Sequence, residues 1–213
     1  MTDFRSAIQG ATDTAARNSS AQSKYRNDLT AERLRELLDY NPETGGFRWK
    51  TGRGGEKAGS EAGGLHNGYI KIAINRCKYR AHRLAWLYTH GEWPSADLDH
   101  VDRDKTNNRI SNLRPATGTE NNWNKSAQVN SVLGIKGVTY YRRRQKYQAQ
   151  IGFGGAETLH LGYYDTPYQA AIAYRNAARG IQGEFACLQD EFEVRRLSDL
   201  EMERRATEAK QAA

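Results

Sequence analysis

Cysteine is nearly absent from this chain of 213 residues: it has two, Cys77 and Cys187, far apart and outside any CxxC pair. That excludes a disulfide framework and a cysteine-built zinc knuckle, and it suits a reducing compartment. Long apolar runs are missing too. No stretch approaches the ~20 apolar residues of a membrane span, and MTDFRSAIQGATDTAARNSS at the start has no apolar segment of the kind that directs secretion. The expected location is the cytoplasm, and no membrane is expected as a partner. Mean hydropathy is −0.87, so the core is small beside a heavily charged surface. No internal repeat is visible. Acids are the minority charge, 25 against 32 Lys and Arg, for a net +7. The basic excess is densest over residues 126–189, with seven basic against three acidic, and reverses over 190–213, with five against seven. With a pI near 9.4 and no membrane signal, the expected partner is a polyanion.

Residues 1–27 are rich in Ser, Ala, Asn and Gln and lack apolar periodicity. They read as a flexible arm, with Arg17, Lys24 and Arg26 available to DNA. DLTAERLRELLDY then reads as a helix, capped by Asp28 or Thr30, with Leu34, Leu37 and Leu38 as its apolar stripe. NPETGG is a turn and FRWK a short strand. The glycine-rich run TGRGGEKAGSEAGG is a loop, since no strand and helix frame it as a phosphate cradle requires. GYIKIAINRCKYRAHR alternates with period 2: Tyr69, Lys71, Ala73 and Asn75 face one way, Ile70, Ile72 and Ile74 the other, with a hairpin turn at Asn75-Arg76. AHRLAWLYTHG follows as a helix ended by Gly91.

The least core-like stretch is LDHVDRDKTNNRISNLRPATGTENNWN, Leu98 to Asn124, with one histidine among carboxylates and carboxamides. Asp99 offers a hard anionic oxygen, suited to Mg²⁺ or Mn²⁺ rather than zinc. His100 can accept a proton from water near neutrality. Neighbours on a strand face opposite ways, so the two can address different parts of one site. The segment reads as strand, loop, strand and helix, the helix capped by Thr117 or Thr119, and is too short to build its own core. Asp102 and Asp104 read as solvated loop charges. Asn107, Asn108 and Asn122 read as turn or helix-surface residues or as phosphate contacts, and Arg109 and Arg114 as phosphate contacts. His66 and His90 read as loop and helix-end residues.

HRLAWLYTHGEWP, DH, NNRISNLR and NNWNK, with ERLRELLDYNPETGGFRW upstream, resemble the HNH endonuclease family, in the subgroup common among phage homing endonucleases. The likeness covers most of residues 28–125. It implies a ββα-metal nuclease domain in which His100 is the general base and Asn112 braces the hairpin and orients it. Asp99 and Asn121 would hold one divalent ion, Mg²⁺ or Mn²⁺, and no zinc. Asn121 stands where many members have His. His82 also falls at a position of likeness, with no chemistry assigned.

After a linker over 126–132, IKGVTYYR, KYQAQIGF and ETLHLGYY read as three strands and DTPYQAAIAYRNAARG as a helix. Thr166 is its N-cap, Pro167 its first residue, Gln169 completes a capping box, and Gly180 stops it. Tyr147, Ala149, Ile151, Leu159 and Leu161 face the core; Gln148, Gln150 and His160 face away. The helix packs its Ala170–Ala173–Tyr174–Ala177 face on the sheet. The free face, bounded by Lys136, Tyr141, Arg142, Arg143, Arg144 and Lys146, suits a DNA groove. The pattern KGVTYY, KYQAQI and LHLGYYDTPYQAAIAYRNAA resembles the AP2 DNA-binding domain over residues 133–188. That implies a three-stranded antiparallel sheet plus helix, reading the major groove. His160 replaces the usual tryptophan, Gln150 a common acid and Gly152 a common Arg, so the target sequence is not readable. Residues 189–213 read as a charged helix with a Val194–Leu197–Leu200 stripe.

The fold expected is therefore α+β. The function expected is that of a metal-dependent, site-specific, homing-type DNA endonuclease. It would act as a monomer on an asymmetric double-stranded site in a bacterial host cytosol, phage-encoded. The alternative is a sequence-specific DNA-binding regulator on an inactive nuclease scaffold.

Overall fold

The computed structural model of the chain describes residues 27–52, 54–128, 130–154 and 157–211, which fall into two compact units dividing between Asn121 and Asn122. The arm expected over 1–27, Asn27 apart, lies outside the described residues. The fold is mixed α+β, with antiparallel sheets of two or three strands.

In the first unit, α1 (Ala31–Leu37) starts at Thr30, whose Oγ1 accepts from the Arg33 N–H at 3.2 Å. Asp28 is not the cap; it accepts the Tyr79 hydroxyl at 2.6 Å. The helix is shorter than its sequence suggests. Leu38–Tyr40 leave it to form β1, antiparallel to β2 (Phe47–Trp49). Extension lets Leu38 and Tyr40 both face the core with Asp39 outside, which a further helical turn would not. The turn between the strands is set by Asn41, whose Oδ1 accepts from the Glu43 and Thr44 N–H groups. β3 (Gly64–His66), β4 (Tyr69–Ile74) and β5 (Cys77–Arg80) make one sheet in that order. β3 was not foreseen: its residues are all exposed, so no alternation marks it. The β4–β5 turn puts Asn75 and Arg76 at φ 51° and 65°, the two positive values a tight hairpin turn requires. α2 (Ala81–His90) ends at Gly91, φ +81°, whose N–H bonds the Leu87 carbonyl. β6 (Asp97–His100) then pairs with β7 (Leu113–Ala116), and α3 (Gly118–Trp123) follows. Thr117 and Glu120 form a reciprocal cap on α3. Leu34, Leu38, Ile72, Ile74, Leu84 and Leu87 are essentially inaccessible to solvent. Each such side chain contributes ~1.5–3 kcal/mol, and Leu113 of β7 joins the same cluster.

In the second unit β8 (Val138–Tyr141), β9 (Lys146–Gly154) and β10 (Glu157–Tyr164) form a sheet in the order β10-β9-β8. α4 (Pro167–Ile181) covers one face, burying Ala170, Ala171, Tyr174 and Ala178 against Tyr147, Ala149 and Ile151. Gly180 does not stop α4. The helix runs on to Ile181, and Gly183, at φ +54°, turns the chain away. Both hydrogen bonds of the Thr166–Gln169 capping box are present. Thr166→Ala is expected to lower stability by ~1 kcal/mol, read as a shift in the urea midpoint. α5 (Glu191–Gln211) packs through Val194, Leu197, Ser198 and Glu201, while Leu200 is 51% exposed. The expected Leu200 contact is replaced by Glu201, which accepts hydrogen bonds from Arg204, Arg205 and the Tyr147 hydroxyl. None of the helices described is long and apolar enough to cross a membrane.

Candidate active site

His100 ends β6 opposite Leu113, in the hairpin whose other strand brings Arg114 opposite Asp99. Its imidazole is 5% exposed, and its Nε2 lies 3.4 Å from Asn108 Oδ1. The Asn108 amide is oriented from its other end, because Nδ2 donates to the Thr106 carbonyl at 3.1 Å. The oxygen therefore faces the histidine, and an imidazole hydrogen on Nε2 matches that acceptor, a tautomer with its lone pair on Nδ1. Burial lowers the His100 pKa, opposed by the hydrogen bond to Asn108 and by the charges of Asp102, Asp99 and Asp104. Lowered, it is unprotonated at neutral pH, the form a base needs.

Asn108 is 2% exposed and is fixed from behind. The Tyr40 hydroxyl donates to its carbonyl at 2.8 Å, and burial pushes the Tyr40 pKa up to about 12, which keeps that donor protonated. Asn108 is thus neither a surface turn residue nor an open phosphate contact, because it is buried against Tyr40 of β1. Asn112 serves the loop rather than the imidazole in these contacts. It exchanges bonds with Asp102, accepting the N–H at 3.0 Å and donating to Oδ1 at 2.9 Å, and it donates to the Asn107 carbonyl at 2.9 Å. Asp102 is thus a loop organiser, held also by the Asn107 amide, rather than a loose surface charge. Asn122 accepts from the Lys125 ammonium on the surface of the second unit.

Arg114 is turned onto Asp99, with Nε and Nη2 donating to Oδ2 at 3.0 and 2.8 Å. The two side chains are 13% and 8% exposed, so this arginine is an internal partner; Arg109 is exposed. Asn121 is half-buried on α3. Among the described residues no group of three or more His, Cys, Asp or Glu is placed to hold a metal ion. Asp99, whose Oδ2 is bonded to Arg114, and Asn121 would offer one carboxylate and one carboxamide. Oxygens of those types suit a Mg²⁺-type ion, which keeps several waters and takes phosphate oxygens as ligands, rather than a zinc cage.

Two further rings reach this site. His82, the second residue of α2, stands edge-to-face against His100 with centroids 5.0 Å apart, and Tyr69 lies 5.5 Å from His82 and 6.2 Å from His100. His82 is 3% exposed, and its Nδ1 is buried with no hydrogen-bond partner among the described residues. Burial, helped by the charges of His100, Arg80 and Arg83, lowers its pKa from 6.5 to about 2. The unfolded chain takes up that proton below about pH 6.5 and the folded one does not until about pH 2, so stability falls as pH drops through the window. The loss is at most ~1.4 kcal/mol per pH unit. His82→Phe keeps the ring and removes the titration, so its urea midpoint should fall less than wild type's between about pH 7 and pH 5, the upper part of that window.

In the second unit the outer sheet face gathers several of the expected DNA-binding residues. Gln148 Nε2 lies 3.2 Å from His160 Nδ1 and 3.4 Å from Gln150 Oε1, and Tyr141 sits 5.3 Å from Tyr163. Arg142, Arg143 and Arg144 form an exposed turn, with Arg144 over the Tyr163 ring at 4.6 Å. Tyr163 went unrecognised because strict alternation from His160 turns it inward. A bulge between His160 and Gly162, with Gly162 at φ +127°, reverses the alternation and sets Tyr163 beside Gln148. Two expected cations are engaged elsewhere. Lys136 donates to the Trp123 and Lys125 carbonyls, and Lys146 pairs with Asp165 at 2.8 Å.

Comparison with known proteins places this geometry. The model of the HNH endonuclease family matches residues 79–123, from the end of β5 to the end of α3. No solved structure matches the chain. Protein 3.8 of Escherichia phage T7 is 28% identical over 108 residues, covering 50% of this chain and 88% of its own. An uncharacterized HNH endonuclease, L560, of Acanthamoeba polyphaga mimivirus is 31% identical over 150 residues, 70% of each chain. With a relative that similar over that length, and the family's region falling on the hairpin that carries His100, the chain belongs to the HNH endonuclease family.

Proposed function

We propose that this chain is a metal-dependent, site-specific DNA endonuclease of the homing type, cutting with its first unit and reading sequence with its second. The observation that carries the cutting is His100 itself: buried, its pKa lowered and its Nε2 turned to Asn108 Oδ1, which favours the tautomer with a basic Nδ1. In this reading Nδ1 takes a proton from a water, the water oxygen bonds to the scissile phosphorus, and the bond from phosphorus to the 3′ oxygen breaks. The imidazolium that results faces Asp102, Asp99 and Asp104, whose charges favour it. Asn112 keeps the loop after His100 in place through Asp102. Nucleases of this family generally use a divalent metal ion. A Mg²⁺ or Mn²⁺ ion on Asp99 and Asn121 would supply positive charge at the phosphate and the leaving oxygen. The strand–loop–strand–helix order of β6, β7 and α3 supports a ββα-metal domain over 28–125.

Reading is assigned to the AP2-like unit over 133–188, whose sheet-and-helix order supports that likeness. Tyr141, Gln148, Gln150 and His160 would meet base edges while Arg142, Arg143 and Arg144 hold phosphates. One chain with two different DNA-facing units suits a monomer on an asymmetric double-stranded site.

The test is a supercoiled plasmid carrying the encoding locus without its insert, incubated with protein and Mg²⁺ or Mn²⁺, beside His100→Ala. Nicked or linear product from wild type alone is the expected outcome, and mapped ends give the strands cut. Salt-sensitive binding with no cleavage in either metal would overturn the enzyme reading in favour of a DNA-binding regulator.

A further inference from the structure

The β3–β4–β5 sheet has an outer face turned away from the isoleucine core, and Tyr69 on it borders the His82–His100 pair. Ile70, Ile72 and Ile74 turn inward, so Tyr69 and Lys71 turn outward, and the register sets Arg80 directly across from Lys71. Like charges directly opposite on neighbouring strands repel. The same face gains a third cation from the loop after His100: the Lys105 chain runs past Gly68 and brings its ammonium to 5.0 Å from the Tyr69 ring centre. The Arg80 guanidinium lies over that ring at 4.5 Å. No carboxylate pairs with Lys71 or Lys105 among the described residues, and Lys71 instead contacts His66 Nδ1 at 3.2 Å. The acids of the adjoining loop are turned to their own backbone and amides, Asp102 to Asn107 and Asn112, Asp104 to Thr106. α2 adds to the imbalance. It opens with Arg80 at its N-cap, no side-chain cap and no acid in its first turn, where helices favour anionic groups. Arg80 and Lys105 both lie against one aromatic ring 6.2 Å from His100, and Lys71 stands across from Arg80 on the same sheet face.

We propose that Lys71, Arg80 and Lys105, arrayed around Tyr69, form a grip for a DNA backbone phosphate next to the one that faces His100. The ligand is a phosphodiester, held by charge and without base contacts. The grip sets where the strand enters the site rather than which sequence is cut. This rests on the nuclease reading for its place beside the reaction, but the grip itself can be measured without cleavage.

The experiment uses the full chain and a mixed-sequence duplex. The salt dependence of Kd is measured in EDTA for wild type, Lys105→Ala, Lys71→Ala, the double variant and Lys105→Arg, each checked for an unchanged thermal midpoint. Loss of one phosphate contact lowers the slope of log Kd against log salt by ~0.9. The expected result is that decrement in each single alanine variant, about twice it in the double, and recovery in Lys105→Arg. In Mg²⁺ the alanine variants should also lose tenfold or more in cleavage rate (about the loss expected when a strand is misplaced). Unchanged slopes in the folded double variant would overturn the grip even if wild type cleaves and His100→Ala does not. A reduced slope with no cleavage by wild type would uphold the grip and remove the nuclease reading. Absence of DNA binding by wild type would overturn both.

Discussion

His100→Ala is expected to cut the single-turnover rate of DNA cleavage by ~10²–10⁴, the usual worth of a positioned general base, while Kd for the same DNA stays within about twofold. The split follows from where the side chain sits. At 5% exposure it holds no phosphate on an open surface, so its loss is felt in the chemical step and not in binding. Asn108→Ala should give a smaller loss of the same kind. Without Asn108 Oδ1 the imidazole hydrogen is free to sit on either nitrogen, and only one of the two tautomers presents a basic Nδ1. A rate loss with unchanged Kd in both variants, deeper for His100, supports the assignment. Cleavage by His100→Ala at the wild-type rate would remove His100 from the reaction.

Gly45→Ala is expected to destabilise the first unit by ~2–4 kcal/mol, combining a left-handed backbone with overpacking. Gly45 has φ +73°, and a Cβ there would stand 2.5 Å from the Arg109 nitrogen and 2.6 Å from the Asn108 carbonyl carbon. Both are main-chain atoms, so no side chain can swing aside. Relief must come from moving the segment that carries Asn108, and cleavage should fall further than the loss of folded protein explains. Gly59→Ala is the control. Its φ is +79° but the space around it is open, so it should cost only the ~1–2 kcal/mol of backbone strain and leave the rate per folded molecule unchanged. Urea unfolding with rates normalised to folded protein separates the two variants; equal effects would disconnect Gly45 from the site.

Much of this molecule could be read from local patterns. Thr166, Pro167 and Gln169 dictated the start of α4, Asn75-Arg76 the tight turn between β4 and β5, and Gly91 the end of α2, because each rests on the chemistry of a few consecutive residues. The alternation of Tyr147, Ala149 and Ile151 likewise marked the inner face of their sheet. His100, Asp99, Asn112 and Asn121 stood out by residue type and by likeness to the family to which the chain belongs.

What the pattern lacked was information carried between distant segments. Leu38–Tyr40 read as helix because their apolar spacing suits either state, and only pairing with Phe47–Trp49 decided for strand. Tyr163 changed face because one bulged residue inverts a period of two. Asn108 became the partner of His100 because β1 and the turn at Gly45 press the loop against it. Arg114 lost its outward role to Asp99 across a strand pair. His82, Tyr69 and Lys105 come from three separate segments and share one site. Sequence alone determined the family, the chemical types at the site and most element starts, since those depend on neighbours along the chain. Tertiary structure alone decided which nitrogen of His100 faces Asn108, which cations remain on the surface and which glycine cannot change, since those depend on neighbours in space.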